Sequence, residues 1–413
     1  MPNPIVTRRP AVPFILVTIF LDVLGFGLII PVLPGLIGEF TSASDAQAYW
    51  YGALAAAYGL MQFCCAPLLG AMSDRFGRRP VLLLSIFGLG CDFLLMALAP
   101  NLWVLLLARL LGGATGASFS VANAYIADVT SHEARGRGFG ALGAAFGLGF
   151  IFGPMLGGLL GTQDLRLPFY VAAGLSLLNA LYGLLVLPES HPRDRRVPFE
   201  FRRANPLSAL VALAQLRGVG SLIAVYTLFM LAQFVLHTTW VLYNTFRFGW
   251  GPSENGLSLF IVGLVGAVVQ GALLSRLLRW GERQVVYAGF ASATVAYVAY
   301  GLATEGWMMY CIIFANLLSF AATPALQAII SKEVPPQQQG VAMGSLNSIS
   351  SLMLVVAPVL STPLLAHVSH YPRTDWRIGA TFFLSAALQG STLLLAWLHF
   401  RRRPVAPAGG PTA

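Results

Sequence analysis

Charge is what this sequence has least of. Only 10% of its 413 residues are Asp, Glu, Lys or Arg, while 57% are hydrophobic and the mean hydropathy is +0.73. A soluble domain carries about 25% charged residues, so a water-facing globular fold is excluded. The chain also has no phosphate-binding glycine loop, no His-rich motif and no nucleotide-binding domain, which excludes ATP-driven pumping and argues against an enzyme. The four cysteines, Cys64, Cys65, Cys91 and Cys311, lie inside apolar runs without metal-ligand spacing and are expected to pack as apolar residues, with no metal site. The net charge of +9 would suggest nucleic acid in a soluble protein. Here its placement matters more than its sum.

What is abundant is apolar sequence in runs of the length that crosses a bilayer, roughly 20 residues. Twelve runs are read: Val12 to Leu36, Tyr49 to Met72, Val81 to Ala99, Leu102 to Ala127, Phe139 to Leu160 and Phe169 to Leu187, then Leu222 to Tyr243, Gly256 to Leu278, Val285 to Ala303, Trp307 to Ser331, Val341 to Leu365 and Gly379 to Phe400. The first run follows Arg8 and Arg9 but is too long for a cleaved signal peptide and lacks a small-residue cleavage site, so it is read as a retained helix. The fold class expected is an all-α polytopic membrane protein.

The basic residues fall on alternate loops. One set holds Arg8 and Arg9, then Arg75, Arg78 and Arg79, then Arg135 and Arg137, then six between Arg193 and Arg217, then Arg276, Arg279 and Arg283, then Lys332, and finally Arg401 to Arg403. That is 20 of the 25. The other side holds Arg166, Arg247, Arg373 and Arg377, and Arg109 lies within a run. Basic loops stay inside, so both termini are expected in the cytoplasm of a cell inner membrane, crossed many times.

The longest polar stretch, 188–217, holds Pro188, Pro192, Pro198 and Pro206 and divides the chain into an N-terminal six-helix bundle at 1–187 and a C-terminal one at 218–400, with a tail at 401–413. The segment Arg75-Phe76-Gly77-Arg78-Arg79-Pro80-Val81 after the second run is echoed by Arg279-Trp280-Gly281-Glu282-Arg283-Gln284-Val285 after the eighth, as tandem duplication would leave it. Two such halves related by an axis along the membrane normal suit a transporter whose substrate site lies between them.

Gly70-Ala71-Met72-Ser73-Asp74-Arg75-Phe76-Gly77-Arg78-Arg79-Pro80 resembles the signature between helices two and three of the major facilitator superfamily. Its chemistry is a turn that needs Gly77, a carboxylate at Asp74 and the arginines Arg75, Arg78 and Arg79 that pair with acids or carbonyls at helix ends. The resemblance implies Asp128 as acidic partner and a gating role, beside the plainer reading of a basic turn that only sets topology. The fifth run, with Gly143, Gly147, Gly149, Gly153, Pro154, Gly157 and Gly158, resembles the antiporter motif of the same superfamily, or else is a face for close packing. Arg109-Leu110-Leu111-Gly112-Gly113 resembles its helix-four motif. Closer still, Asp22 to Pro34, Leu60-Met61-Gln62, Trp240 to Tyr243, Arg247 to Trp250 and Pro324 to Gln327 are similar to the tetracycline exporters. The resemblance implies the major facilitator fold and proton-coupled export of an amphipathic drug by alternating access, with another drug or a metabolite as the alternative substrate. It implies no bound cofactor beyond the proton gradient, leaves open a divalent cation carried with the substrate, and names small molecule, protons and bilayer as partners of a monomer.

Two acids lie deep in the apolar runs, Asp22 and Asp92. By helix rise both fall near the midplane, and Arg109 reaches similar depth from the opposite side, so the three could meet. A carboxyl in a cavity that opens alternately can bind and release a proton. Asp22 and Asp92 are therefore read as coupling or substrate residues, or as a structural ion pair with Arg109. The tetracycline exporters also carry an acid in helix nine and a histidine in helix eight, where this chain has Ala293 and Gly266. His237 is read as proton carrier, substrate contact or packing residue. Gln62 and Gln327 lead the amides, including Gln233, Gln270 and Asn347, that could bond a polar ligand or bridge helices.

Overall fold

The computed structural model describes residues 11–131, 133–199, 205, 219–335 and 338–402; Arg8 and Arg9, most of 200–217 and the tail from 403 lie outside the described residues. In hydrocarbon every backbone N–H and C=O needs an internal partner, which for apolar runs of this length means helix. Among the described residues eleven helices are long and apolar enough to cross a membrane, and a twelfth span is the pair Gly306–Ala315 and Leu317–Glu333, bent by 49°. Leu178, Leu185, Val295 and Trp103 stand on the outside with most of their surface uncovered, the pattern of a protein solvated by lipid tails.

The spans, in chain order, are Ala11–Ile29, Ser44–Phe76, Arg78–Leu98, Leu102–Val129, Arg135–Gly161, Leu167–Val186, Gly220–Phe248, Pro252–Trp280, Glu282–Leu302, the bent pair, Gln339–Val368 and Trp376–Arg401. Several differ from the apolar runs. The first ends at Ile29, and Leu33–Gly38 forms a separate short helix started by Pro34. The second runs well beyond its apolar stretch at both ends, because Asp45 and Arg75 sit at the helix termini where their charges suit the macrodipole. The fourth is interrupted between Thr115 and Ser118, and the eighth contains a π-helical turn at Val269–Leu273.

Local chemistry explains the boundaries. Asn101 caps the fourth span by accepting from the N–H groups of Trp103 and Val104 at 3.1 Å each. Pro168 and Pro252 occupy the first turns of their helices, where a missing N–H costs nothing. Gly249 ends the seventh span with φ +70°, a left-handed closure that glycine adopts freely.

The internal repeat is geometric as well as sequential. The third and fourth spans recur 204 residues on, 78–98 as 282–302 and 102–129 as 306–333, and the turns before them share Gly77 at φ +107° and Gly281 at φ +102°. In the first half the first span packs on the fifth and sixth, the second on the fourth, and the third on the sixth. In the second half the seventh packs on the eleventh and twelfth, and the ninth on the twelfth. The two halves meet along two seams, second span against eleventh and fifth against eighth.

Both seams close toward one end only. Gly52 lies against Thr362, Gly59 against the Leu354 carbonyl, Gly158 against the Pro252 carbonyl and Gly263 against Ile151. Toward the arginine-rich end of the same four helices, a Cβ on Gly70, Gly140, Gly143, Gly147, Gly271, Gly340 or Gly344 would meet nothing within 4 Å. The halves are splayed at the arginine-rich end and joined at the other.

Candidate functional site

Between the halves, under the closed ends of the seams, lies a cavity of about 310 Å³. Its first-half wall includes Phe26, Tyr51, Tyr58 and Arg109; its second-half wall includes Gln233, Phe234, His237, Trp240, Tyr297, Asn316 and Phe320. Aromatic side chains dominate. The polar groups among them are few and come from both halves.

Arg109 and Asp92 form an ion pair behind the first-half wall, both essentially buried, with Oδ2 of Asp92 accepting from Nη2 of Arg109. The helix-four motif explains how they fit. A Cβ on Gly112 would collide with the Asp92 carboxylate, and one on Gly113 would collide with the Tyr58 carbonyl, so the two glycines let the third and second spans close on the fourth. The Arg109 guanidinium also lies over the Tyr58 ring at 5.1 Å, and Tyr58 is within electrostatic reach of Asp22, Asp92 and Arg109 together.

Asp22 does not join the pair. It is buried, and neither carboxylate oxygen has a hydrogen-bond partner; Ser118 and Asn179 are its polar neighbours, and Asn179 is itself engaged by the Thr18 hydroxyl at 3.2 Å. Three residues expected to meet are thus a pair and a solitary acid, because Arg109 bonds to Asp92 alone.

In the second half, His237 lines the cavity beside Phe234. Gln233 accepts from the Tyr297 hydroxyl. Asn316, at the bend of the tenth span, accepts from the Ser292 hydroxyl at 3.0 Å. Ala293 is fully buried outside the cavity wall, and Gly266 lies against Phe320. Of the two amides ranked first from sequence, Gln62 donates to the Gly116 carbonyl at 3.2 Å, supporting the break in the fourth span; neither Gln62 nor Gln327 lines the cavity. The cysteines depart from expectation too: Cys64 and Cys311 are exposed on helix surfaces rather than packed. Tyr58, Tyr297 and Asn316 were not singled out from sequence. A lone Asn inside an apolar run was the available signal for one of them.

At the arginine-rich end the loop signature is a network centred on Arg78. It pairs with Asp74 at 2.5 Å and Asp128 at 3.1 Å and donates to the Ser73 hydroxyl at 2.6 Å. Glu189, just past the sixth span, accepts from the Arg78 backbone N–H at 2.8 Å, and a side chain on Gly77 would collide with it. Arg79 donates to the Leu184 carbonyl at 2.5 Å, whereas Arg75 is exposed over the Phe76 ring. Glu189 carries no motif and was missed. The pseudo-symmetric positions in the second half hold the opposite charges: Glu282 and Lys332 pair at 2.6 Å where Arg78 and Asp128 pair in the first. The glycines of the fifth span fall into two groups. Gly149, Gly153 and Gly157, four residues apart on one face, abut the backbone of the first span, and Pro154 meets Gly27 across the same contact; Gly143 and Gly147 face open space.

Comparison with known proteins places this geometry. The family model for the Major Facilitator Superfamily matches residues 15–358 and 279–412. The class C tetracycline resistance protein of Escherichia coli is 42% identical over 372 residues, covering 90% of this chain and 93% of that protein. The crystal structure of the human organic anion transporter MFSD10 (TETRAN) aligns with 96% of this chain and 100% of its own at 26% identity, TM-score 0.68. An inward-facing, unoccupied bacterial homologue of the human lysosomal transporter Spinster, 16% identical over 99% of this chain and 100% of its own, shares the fold at TM-score 0.77.

Proposed function

Since the chain belongs to the Major Facilitator Superfamily, we propose that it is a secondary active exporter that moves tetracycline-like amphipathic compounds out of the cell in exchange for protons, by rocking of its two halves about the central cavity. The observation that carries the reading is the cavity itself, walled by both halves, joined at one end and splayed at the other, with buried ionisable groups at its first-half wall. Identity of 42% to a tetracycline resistance protein, over nine-tenths of both chains, supports the substrate class. A chain of this kind binds and releases without making or breaking covalent bonds.

The basic loops put the splayed end in the cytoplasm, so this conformation receives substrate from inside. Asp22 and Asp92 divide the coupling work. Burying a carboxylate without a partner costs far more than burying the neutral acid, so the proton on Asp22 is the one free to follow cavity opening. Asp92 remains with Arg109, whose guanidinium couples the pair to Tyr58 and hence to an occupant. His237 is the titratable group of the opposite wall. The Arg78 network, with Asp74 and Asp128, is the gate of the splayed end, and the eleventh span of the other half, whose Gly340 and Gly344 face open space there, is what it closes upon. The protein works as a monomer in the inner membrane, with the proton gradient as its driving force.

Uptake of tetracycline into everted vesicles tests the reading. It should collapse on adding a protonophore and be absent from vesicles lacking the chain; uptake that ignores the protonophore would sink the antiport mechanism.

A further inference from the structure

The turn that heads the third span is repeated at the head of the ninth, and the acids that neutralise the first copy are missing from the second. In the first copy Asp74, Asp128 and Glu189 all meet Arg78, and Arg79 reaches the Leu184 carbonyl. In the second, 204 residues on, Leu278 stands for Asp74 and Lys332 for Asp128. The one acid gained, Glu282, is taken by that lysine at 2.6 Å. Arg276 and Arg279 are exposed, as is Arg401 at the end of the twelfth span, and among the described residues none of these arginines makes an ion pair.

These cations share one face. The Arg283 guanidinium lies over the Phe400 ring at 4.9 Å, and Tyr287 meets the same ring edge-on at 5.7 Å, so the 279–283 turn adjoins the end of the twelfth span. Arg401 lies over the Trp397 ring at 5.1 Å. Trp280 is 63% exposed and Trp397 45%, and Leu394 and Leu398 continue the outward face of the twelfth span beside Trp397. Exposed tryptophans at the ends of apolar spans belong at the headgroup level of a bilayer. A guanidinium laid on a ring keeps its N–H edge free, and that edge matches two oxygens of a phosphate. Topology requires only that basic residues stand on this side of the membrane. It does not require that the acids of the turn be replaced, or that aromatic rings lie beneath the arginines.

We propose that this face of the second half binds the headgroup of an anionic phospholipid of the inner leaflet, with Arg276, Arg279 and Arg401 holding its phosphate and its chains lying along the twelfth span. The proposal uses the cytoplasmic placement of the arginine-rich end and is independent of what the central cavity carries. The duplicated turn then closes on its own acids in one half and on the bilayer in the other.

Native mass spectrometry of the purified full-length protein in detergent, with phosphatidylglycerol and phosphatidylethanolamine added in equal amounts, tests this. Phosphatidylglycerol adducts should predominate about tenfold, well within what a few arginines at a membrane surface supply. The triple variant Arg276→Gln, Arg279→Gln, Arg401→Gln should bring the preference to about twofold or less, while Arg135→Gln with Arg137→Gln, an exposed pair at the same end of the first half, should keep it. Should the triple variant not elute as a single species, Arg279→Gln alone should lower the preference about threefold. No preference in the unaltered protein, a triple variant that retains it, or equal loss in the first-half pair would overturn the proposal. Displacement of the lipid by millimolar inorganic phosphate would also overturn it, making this a site for a soluble anion.

Discussion

Replacing Asp92 by Asn should cost the protein stability that replacing Asp22 by Asn does not. The Asp92 carboxylate is wholly buried and is the partner of a guanidinium whose own side chain is 4% exposed. Asn keeps the shape and removes the charge, so Arg109 is left as a buried cation with only the Tyr58 ring beside it. Removing one member of a buried pair costs about 3–5 kcal/mol. At roughly 2–4 °C per kcal/mol for a cooperative unit of 150–250 residues, which matches one bundle, the melting temperature should fall by about 10 °C. Asp22 has no hydrogen-bond partner to lose, and Asp22→Asn should melt within about 2 °C of the parent, since only the burial of one polar group for another is exchanged. The assay is thermal unfolding in detergent followed by fluorescence size-exclusion, beside everted-vesicle uptake. Both variants should lose proton-driven transport, one with its fold weakened and the other with it intact. The double variant Asp92→Leu with Arg109→Leu should recover most of the lost melting temperature, because no unpaired charge remains. Equal melting of the two single Asn variants would refute the assignment of the pair and the solitary acid.

Gly157→Ala drives a methyl into the Leu28 backbone and should lower the yield of folded protein, whereas Gly143→Leu meets open space and should melt normally yet transport poorly, because the bulk blocks closure of the splayed end; normal transport by Gly143→Leu would argue against rocking. Arg78→Ala removes contacts to Asp74, Asp128 and Ser73 and should abolish uptake, while Lys332→Ala breaks an ion pair whose lysine is 70% exposed, worth about 1 kcal/mol or less, and should leave uptake within about twofold. His237→Gln should leave melting unchanged and flatten the pH profile of uptake; an unchanged profile would remove His237 from the proton route.

Features that arise from local chemistry were legible along the chain. Hydropathy summed over about 20 residues is a property of a segment, so the spans, the charge-poor interior and the rarity of Asp22, Asp92 and Arg109 within it could all be read from the order of residues. The loop signature was readable because its glycine turn and charges lie within a dozen residues, and the repeat because Gly77 and Gly281 head copies of one segment. Features that depend on distant segments meeting were not legible there and emerge only from packing. Asp92 and Arg109 became a pair because Gly112 lets two spans close, while Asp22 was left apart although its depth looked the same. Glu189 joins the Arg78 network from 111 residues away without any motif of its own, 78 to 189. The breaks at Gly116 and Asn316 interrupt runs whose hydropathy is continuous, and the aromatic cavity wall is assembled from helices of both halves. Apolar helices in a bilayer are stable in many mutual arrangements as far as hydropathy is concerned, and it is close packing of small residues and the pairing of buried polar groups that select one.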